Sequence, residues 1–289
     1  MTETVISLVP QGGPVDEGPP PEAVLTLADL LDTVDDLAAN RPAAARVVAM
    51  TDDDNVGSKE LAQALMADVT LTARVMRLAN SAYYGLGGRV GTVTFAVTVV
   101  GFSTVRAMAA VAVAGLDDDE SLPEDFWVRS KATAVASGEL AGAFGLPTAD
   151  MFCLGLLSSV GQAILCQHDV EGYTELLASE EVAGGGRQAL MAAETERYGF
   201  RHTEVSAAAL SSWSFPRDLA EALHHVDRDD AAASPWAACL RTALEVATRL
   251  TAPGVPHQPL LELSGGAVGE ERLEVLLPRI TEAISASEW

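Results

Sequence analysis

Histidine, aspartate, cysteine and serine are the side chains here that could do chemistry, and their spacing excludes most of it. His168 directly precedes Asp169. Such a pair can give a nitrogen and an oxygen ligand to a divalent ion that activates water against a phosphate. The pair stands at a helix end before Gly172 with no other histidine in helical register, so it reads as a surface turn. Cys153, Cys166 and Cys239 show no CxxC or metal spacing, have no adjacent base and sit among apolar neighbours. They read as small buried hydrophobes. Gly184-Gly185-Gly186 lacks the Gly-Lys-Ser or Gly-Lys-Thr that completes a phosphate-binding loop. Gly85-Leu86-Gly87-Gly88 does not follow a strand, and no serine has the nucleophile-elbow pattern.

The elements that would have to position a site are helices. Of 289 residues, 48% are hydrophobic and only 5% aromatic, and alanine is abundant. Alanine favours helices and lets them pack closely, whereas sheets draw on aromatic and β-branched residues. The net charge is −23, from 18 basic and 41 acidic residues, and no basic run is visible. A field of that sign repels nucleic acid and anionic membranes, so neither is expected as a partner. Three scattered cysteines argue against a secreted disulfide scaffold. Met1 to Pro21 has neither the basic start nor the apolar run of a signal peptide. The longest apolar stretch is taken as Val105 to Leu116, interrupted by Arg106, well short of the ~20 residues a membrane helix needs. The cytoplasm is the expected location.

Residues 1–22 are rich in proline and glycine and are expected to be a disordered tail. From Thr26, with Asp29 as its capping-box partner, Leu27, Leu30, Leu31, Val34 and Leu37 recur at helical spacing. Further helices are expected from Pro42 to Met50, from a cap at Ser58, and over Leu71, Val75 and Leu78. Residues 90–100 are β-branched and by propensity alone would form a strand. Ser103 to Ala114 reads as a buried helix, and Asp117-Asp118-Asp119-Glu120 with Pro123 as a boundary between two lobes. Helices resume over 124–144, from a cap at Thr148, over 187–198 after a flexible triple-glycine joint, and from His202 to Trp213. Ser234-Pro235 is an N-cap and first-turn pair. Residues 251–269 read as a loose surface loop, and Pro278 as a break or kink in the last helix.

Leu71 to Gly85 ends in Leu78-Ala79-Asn80-Ser81-Ala82-Tyr83-Tyr84-Gly85, which resembles the signature of HDOD domains. Val93 to Val100, Gly101-Phe102 and Val105-Arg106 are similar to the helix, glycine and next helix that follow it in that family. The resemblance therefore implies a helix over 93–100. Phe126-Trp127-Val128-Arg129-Ser130, Leu154 to Gly161, Glu196 to Val205, Trp213-Ser214-Phe215-Pro216 and His224-His225 follow in family order, so the match runs over about residues 25–250.

The resemblance implies an all-α, two-lobe helical bundle of HD-domain-like fold. An N-terminal lobe would cover 23–120, an HD-like lobe 121–250 and a C-terminal helical extension 251–289. HD phosphohydrolases hold divalent ions on histidine and aspartate. Here the central pair reads Ser158-Ser159, and Arg129 stands where an earlier helix carries histidine. His202, His224 and His225 fall at family positions, and Glu245 near the last acidic ligand. No cofactor or metal is expected. The implied role is non-catalytic regulation through signalling proteins, as in two-component or cyclic-dinucleotide pathways. The alternatives are a phosphohydrolase with a rebuilt metal site, or a nucleotide or small-ligand sensor using the old cleft. The Asn80 to Gly85 corner has two readings of its own. It is a structural turn, or a docking face in which Tyr83 and Tyr84 stand with Arg74, Arg77 and Arg89.

Overall fold

A computed structural model describes residues 25–32, 41–116, 122–123, 125–228, 231, 234–252 and 254–285. The expected tail at 1–22 and the acidic stretch Asp117 to Glu120 lie outside the described residues. Among those described there is no strand. The first helical turn, at residues 27–32, opens on the Thr26–Asp29 box: each backbone N–H donates to the other side chain, at 2.9 and 3.2 Å.

The next helices are α1 (Pro42–Met50), α2 (Ser58–Leu65) and α3 (Val69–Ala79). Gly57, not Ser58, is the N-cap of α2, and Asp68 caps α3 by accepting from the Leu71 N–H at 2.9 Å. A 3-10 turn at Ala82–Tyr84 leads to α4 (Val93–Val100) and α5 (Phe102–Val113). The β-branched run is thus a helix, as the resemblance implied. Thr92 caps it, and Ala96, Val97 and Val100 bury one face against α2 and α3. Burial of that face outweighs the modest helix cost of valine and threonine. The chain bends by 105° at Gly101 into α5, which is almost wholly buried between α1 and α7.

The remaining helices are α6 (Phe126–Leu140), α7 (Thr148–Leu157), α8 (Val160–His168), α9 (Val170–Ala178), α10 (Glu180–Tyr198), α11 (His202–Ser212), α12 (Arg217–His225), α13 (Pro235–Thr251), α14 (Leu260–Leu263) and α15 (Glu270–Ser285). Helices α6, α7 and α13 pack together, and α11 lies against α8 and α12. The three cysteines are buried and free. Ser234 caps α13, as expected, while Pro147, not Thr148, caps α7.

Several expectations are corrected by tertiary packing. The triple glycine is a joint only at its last residue: Gly184 and Gly185 are helical, and Gly186 (φ 62°, ψ −149°) is the kink at which two helical segments of α10 meet. Residues 251–269 are not a loose loop, because α14 lies within them and Leu260, Leu263 and Val268 are buried. Pro278 does not split α15. Thr148–His168, not Val105 to Leu116, is the long apolar stretch: its 21 residues are long and apolar enough to cross a membrane, and 83% of its most apolar window is buried inside the fold. It is two core helices broken at Ser158-Ser159.

One buried cation fastens α5 to distant segments. Arg106 forks onto the Asp52 carboxylate, donates to the carbonyls of Trp213 and Ser214 at 2.7 and 2.6 Å, and lies 4.4 Å over the Phe215 ring. The arginine that interrupts the apolar run therefore has a structural reason.

Candidate functional site

The site grows from the start of α11. Gly199, in the left-handed region (φ 83°), ends α10, and the Glu204 carboxylate, accepting from the Arg201 N–H at 2.9 Å, closes the first turn of α11 at His202. Helix α8 meets this point at very close range. A Cβ on Gly161 would stand 2.0 Å from the His202 carbonyl oxygen, so only glycine allows the approach. The Ser206 hydroxyl stitches the two helices, accepting from the Gly161 N–H at 2.8 Å and donating to the Ser158 carbonyl at 3.0 Å. The backbone of Ser158 and Gly161 is thereby fixed against the first turn of α11, at the His202 carbonyl and Ser206.

Around His202 lies a buried polar chain. Its Nδ1 stands 2.8 and 3.0 Å from the two Glu194 oxygens, and its backbone N–H donates to Glu194 at 2.9 Å. The Tyr173 hydroxyl donates to the same carboxylate at 2.5 Å. On the other side of the ring, Nε2 stands 3.4 Å from Arg187 Nη1. Arg187 clamps Asp227 with two bonds of 2.8 and 3.0 Å. A guanidinium only donates, so the nitrogen facing it accepts and the imidazole proton sits on Nδ1, toward Glu194.

The charges are fixed by these contacts. Burial works against ionisation of Glu194, but His202 and the hydrogen bonds from His202 and Tyr173 outweigh it and hold the carboxyl below its usual range. Asp227 behaves the same way: burial opposes its charge, and Arg187, His202 and Thr203 more than compensate. Burial and the Glu194 charge push the Tyr173 phenol far up, so it stays a donor.

The other expected positions are scattered over the fold. Arg129 ion-pairs with Asp125 at 3.2 Å and reaches Gln162 of α8 at 3.4 Å. Ser158 donates to its own helix at the Gly155 carbonyl, 2.8 Å away. His224 and His225 stack edge-on at the end of α12, with His224 exposed. Glu245 is engaged elsewhere, by Arg249 and the Gln258 N–H. His168 is exposed, and Asp169 caps α9 and pairs with Arg197, as a surface turn should. Among the described residues, no three His, Cys, Asp or Glu side chains converge as a metal cage would require. The His202 and Asp227 donors face a guanidinium, so this set does not fit a divalent ion.

Sequence reasoning missed Tyr173, Arg187, Glu194 and Asp227. One signal was present for Glu194. It shares a helical face with Leu190, Met191 and Tyr198, all buried, so an acid stands in an apolar stripe. The 80–85 corner is more closed than a docking face. Tyr83 stacks on Phe152 at 4.9 Å, its hydroxyl lies over Gly138, and α15 packs across the turn. Burial pushes the Tyr84 phenol up to about 12. Asn80 is tied to backbone, Arg74 is half-buried, and only Arg77 and Arg89 are exposed.

The sequence of residues 37–228 matches the HDOD domain. The chain belongs to the HDOD family. Solved structures agree in fold. A presumed phosphohydrolase from Shewanella amazonensis is 26% identical, with a TM-score of 0.64 over 90% of this chain and 98% of that one. An HDOD domain protein of unknown function from Geobacter sulfurreducens is 22% identical, with a TM-score of 0.61 over 91% and 98% of the two chains. A presumed signal transduction protein from Marinobacter aquaeolei is 18% identical, with a TM-score of 0.65 over 92% of this chain and 66% of that one. No curated protein matches this HDOD protein.

Proposed function

We propose that this HDOD protein is a non-catalytic regulator that works in the cytoplasm by contact with other signalling proteins. The observation that carries the reading is that both ring nitrogens of His202 face protein side chains, Glu194 and Arg187, while the position of the family's histidine-aspartate pair reads Ser158-Ser159. Serines are poor ligands for a hydrolytic metal. Arg129, at the family's earlier histidine position, has no lone pair to give a metal and is turned to Asp125 and Gln162. The partners would belong to a two-component or cyclic-dinucleotide pathway, with Arg77 and Arg89 as exposed contact residues. Tyr83 and Tyr84 would contribute only if α15 moved aside.

The name of the Shewanella relative favours a second reading, a metal-dependent phosphohydrolase with a rebuilt site. One experiment separates the two. Tag-free protein, assayed with Mg²⁺, Mn²⁺ and Co²⁺, is expected to cleave neither nucleotides nor cyclic dinucleotides and to carry no stoichiometric metal. Turnover that disappears in His202→Ala would establish the hydrolase instead. For the regulatory role, Arg77→Glu/Arg89→Glu is expected to keep the wild-type melting temperature while weakening capture of partners from the native cell.

A further inference from the structure

Glu194, His202, Arg187 and Asp227 are arranged as a metal-binding histidine and its surroundings usually are, with a side chain where the ion would be. Histidines that bind metals typically give one ring nitrogen to a carboxylate and the other to the cation. Here Nδ1 faces Glu194 and Nε2 faces the Arg187 guanidinium. The same guanidinium takes both oxygens of Asp227. A nitrogen lone pair and a carboxylate, from helices α11 and the segment after α12, thus converge on one positive group supplied by α10. The acceptors are deeply buried: His202 and Asp227 side chains are 2% and 7% exposed. A buried carboxylate needs a positive partner. Arg187 itself is 30% exposed, so the cation's side of the site opens to solvent.

The backbone directs the arginine there. Gly186 breaks the helical conformation immediately before Arg187, with a positive φ that a side chain would make costly. We propose that the Arg187 guanidinium is the resident cation of this site, a protein-borne replacement for a divalent ion, and that His202 and Asp227 form a cation pocket which Arg187 keeps filled. This rests on the non-catalytic reading of the site, and it explains how the buried donors remain ordered without a metal.

The test is thermal melting of tag-free Arg187→Ala, with Co²⁺ or methylguanidinium at millimolar concentration. The variant is expected to melt roughly 5–15 °C below wild type, because a buried pair has lost one partner. Either cation should recover much of that loss, should not shift the wild-type protein, and should fail in Arg187→Ala/Asp227→Asn. Co²⁺ bound by the single variant should also give a visible ligand-field spectrum that His202→Ala removes. A variant as stable as wild type, or one whose loss neither cation relieves, overturns the proposal. If Arg187→Ala does not fold, Arg187→Gln/Asp227→Asn decides: folding without cations supports the pocket, and failure to fold shows that Arg187 is needed for packing alone. Metal-dependent turnover by the wild-type protein would sink the non-catalytic reading, whereas an unrelieved Arg187→Ala sinks only this one.

Discussion

Asn80 and the backbone of Val90 form a two-way pair. The side-chain amide donates to the Val90 carbonyl at 3.0 Å, and its oxygen accepts from the Val90 N–H at 2.9 Å. The amide also reaches the Met76 carbonyl at 3.1 Å. This one side chain closes the corner between α3 and α4 by standing in for a strand partner. Asn80→Ala leaves both Val90 groups without it and should cost about 2–3 kcal/mol in urea unfolding. Asn80→Asp should not rescue the loss, since a carboxylate would face two carbonyls. A change under ~0.5 kcal/mol would show that the corner holds without the pair.

Arg106 ties α5 to Asp52 and to the Trp213–Phe215 turn. Arg106→Ala should destabilise by about 3–5 kcal/mol, because the two carbonyls and Asp52 lose their donor together. Asp52 is 44% exposed, so Asp52→Ala should cost only ~1 kcal/mol. Equal losses in denaturant titrations would show that the ion pair, not the carbonyl contacts, dominates.

Gly161→Ala places a methyl group against the His202 carbonyl and the Ser206 N–H. Neither is a flexible side-chain end, so α8 must move off α11. The expected cost is ~3 kcal/mol or more, with a change in near-ultraviolet circular dichroism. Retention of the wild-type melting curve would mean that the helices separate freely.

Glu194 and Asp227 both have carboxyl values lower in the folded protein than their ordinary 4.5 and 3.8. The unfolded chain therefore takes up protons first as pH falls. The stability these groups supply is complete above about pH 5 and drains away below it, as pH approaches their depressed folded values. Asp227→Asn should be clearly less stable than wild type at pH 7, with the gap narrowing below pH 4. A gap independent of pH would show that the charge of Asp227 contributes nothing.

The sequence by itself carried the helical class, several of the caps and the family. Alanine abundance, the Thr26–Asp29 box and the Ser234-Pro235 start are local signals, set by side chains a few residues apart. The block from Leu71 to Gly85 carried the family, and with it the helix at 93–100 that propensity alone would have made a strand. Local chemistry could not show where buried charges find their partners. Tyr173, Arg187, Glu194, His202 and Asp227 meet only where α9, α10, α11 and the segment after α12 pack together, and Tyr173, Arg187 and Asp227 look like ordinary polar residues in their own stretches of chain. Nor could it show that α15 lies over Tyr83, or that Arg187 faces His202. An unpaired charge is costly in the core and nearly free at the surface, so its role depends on neighbours that only the tertiary fold supplies.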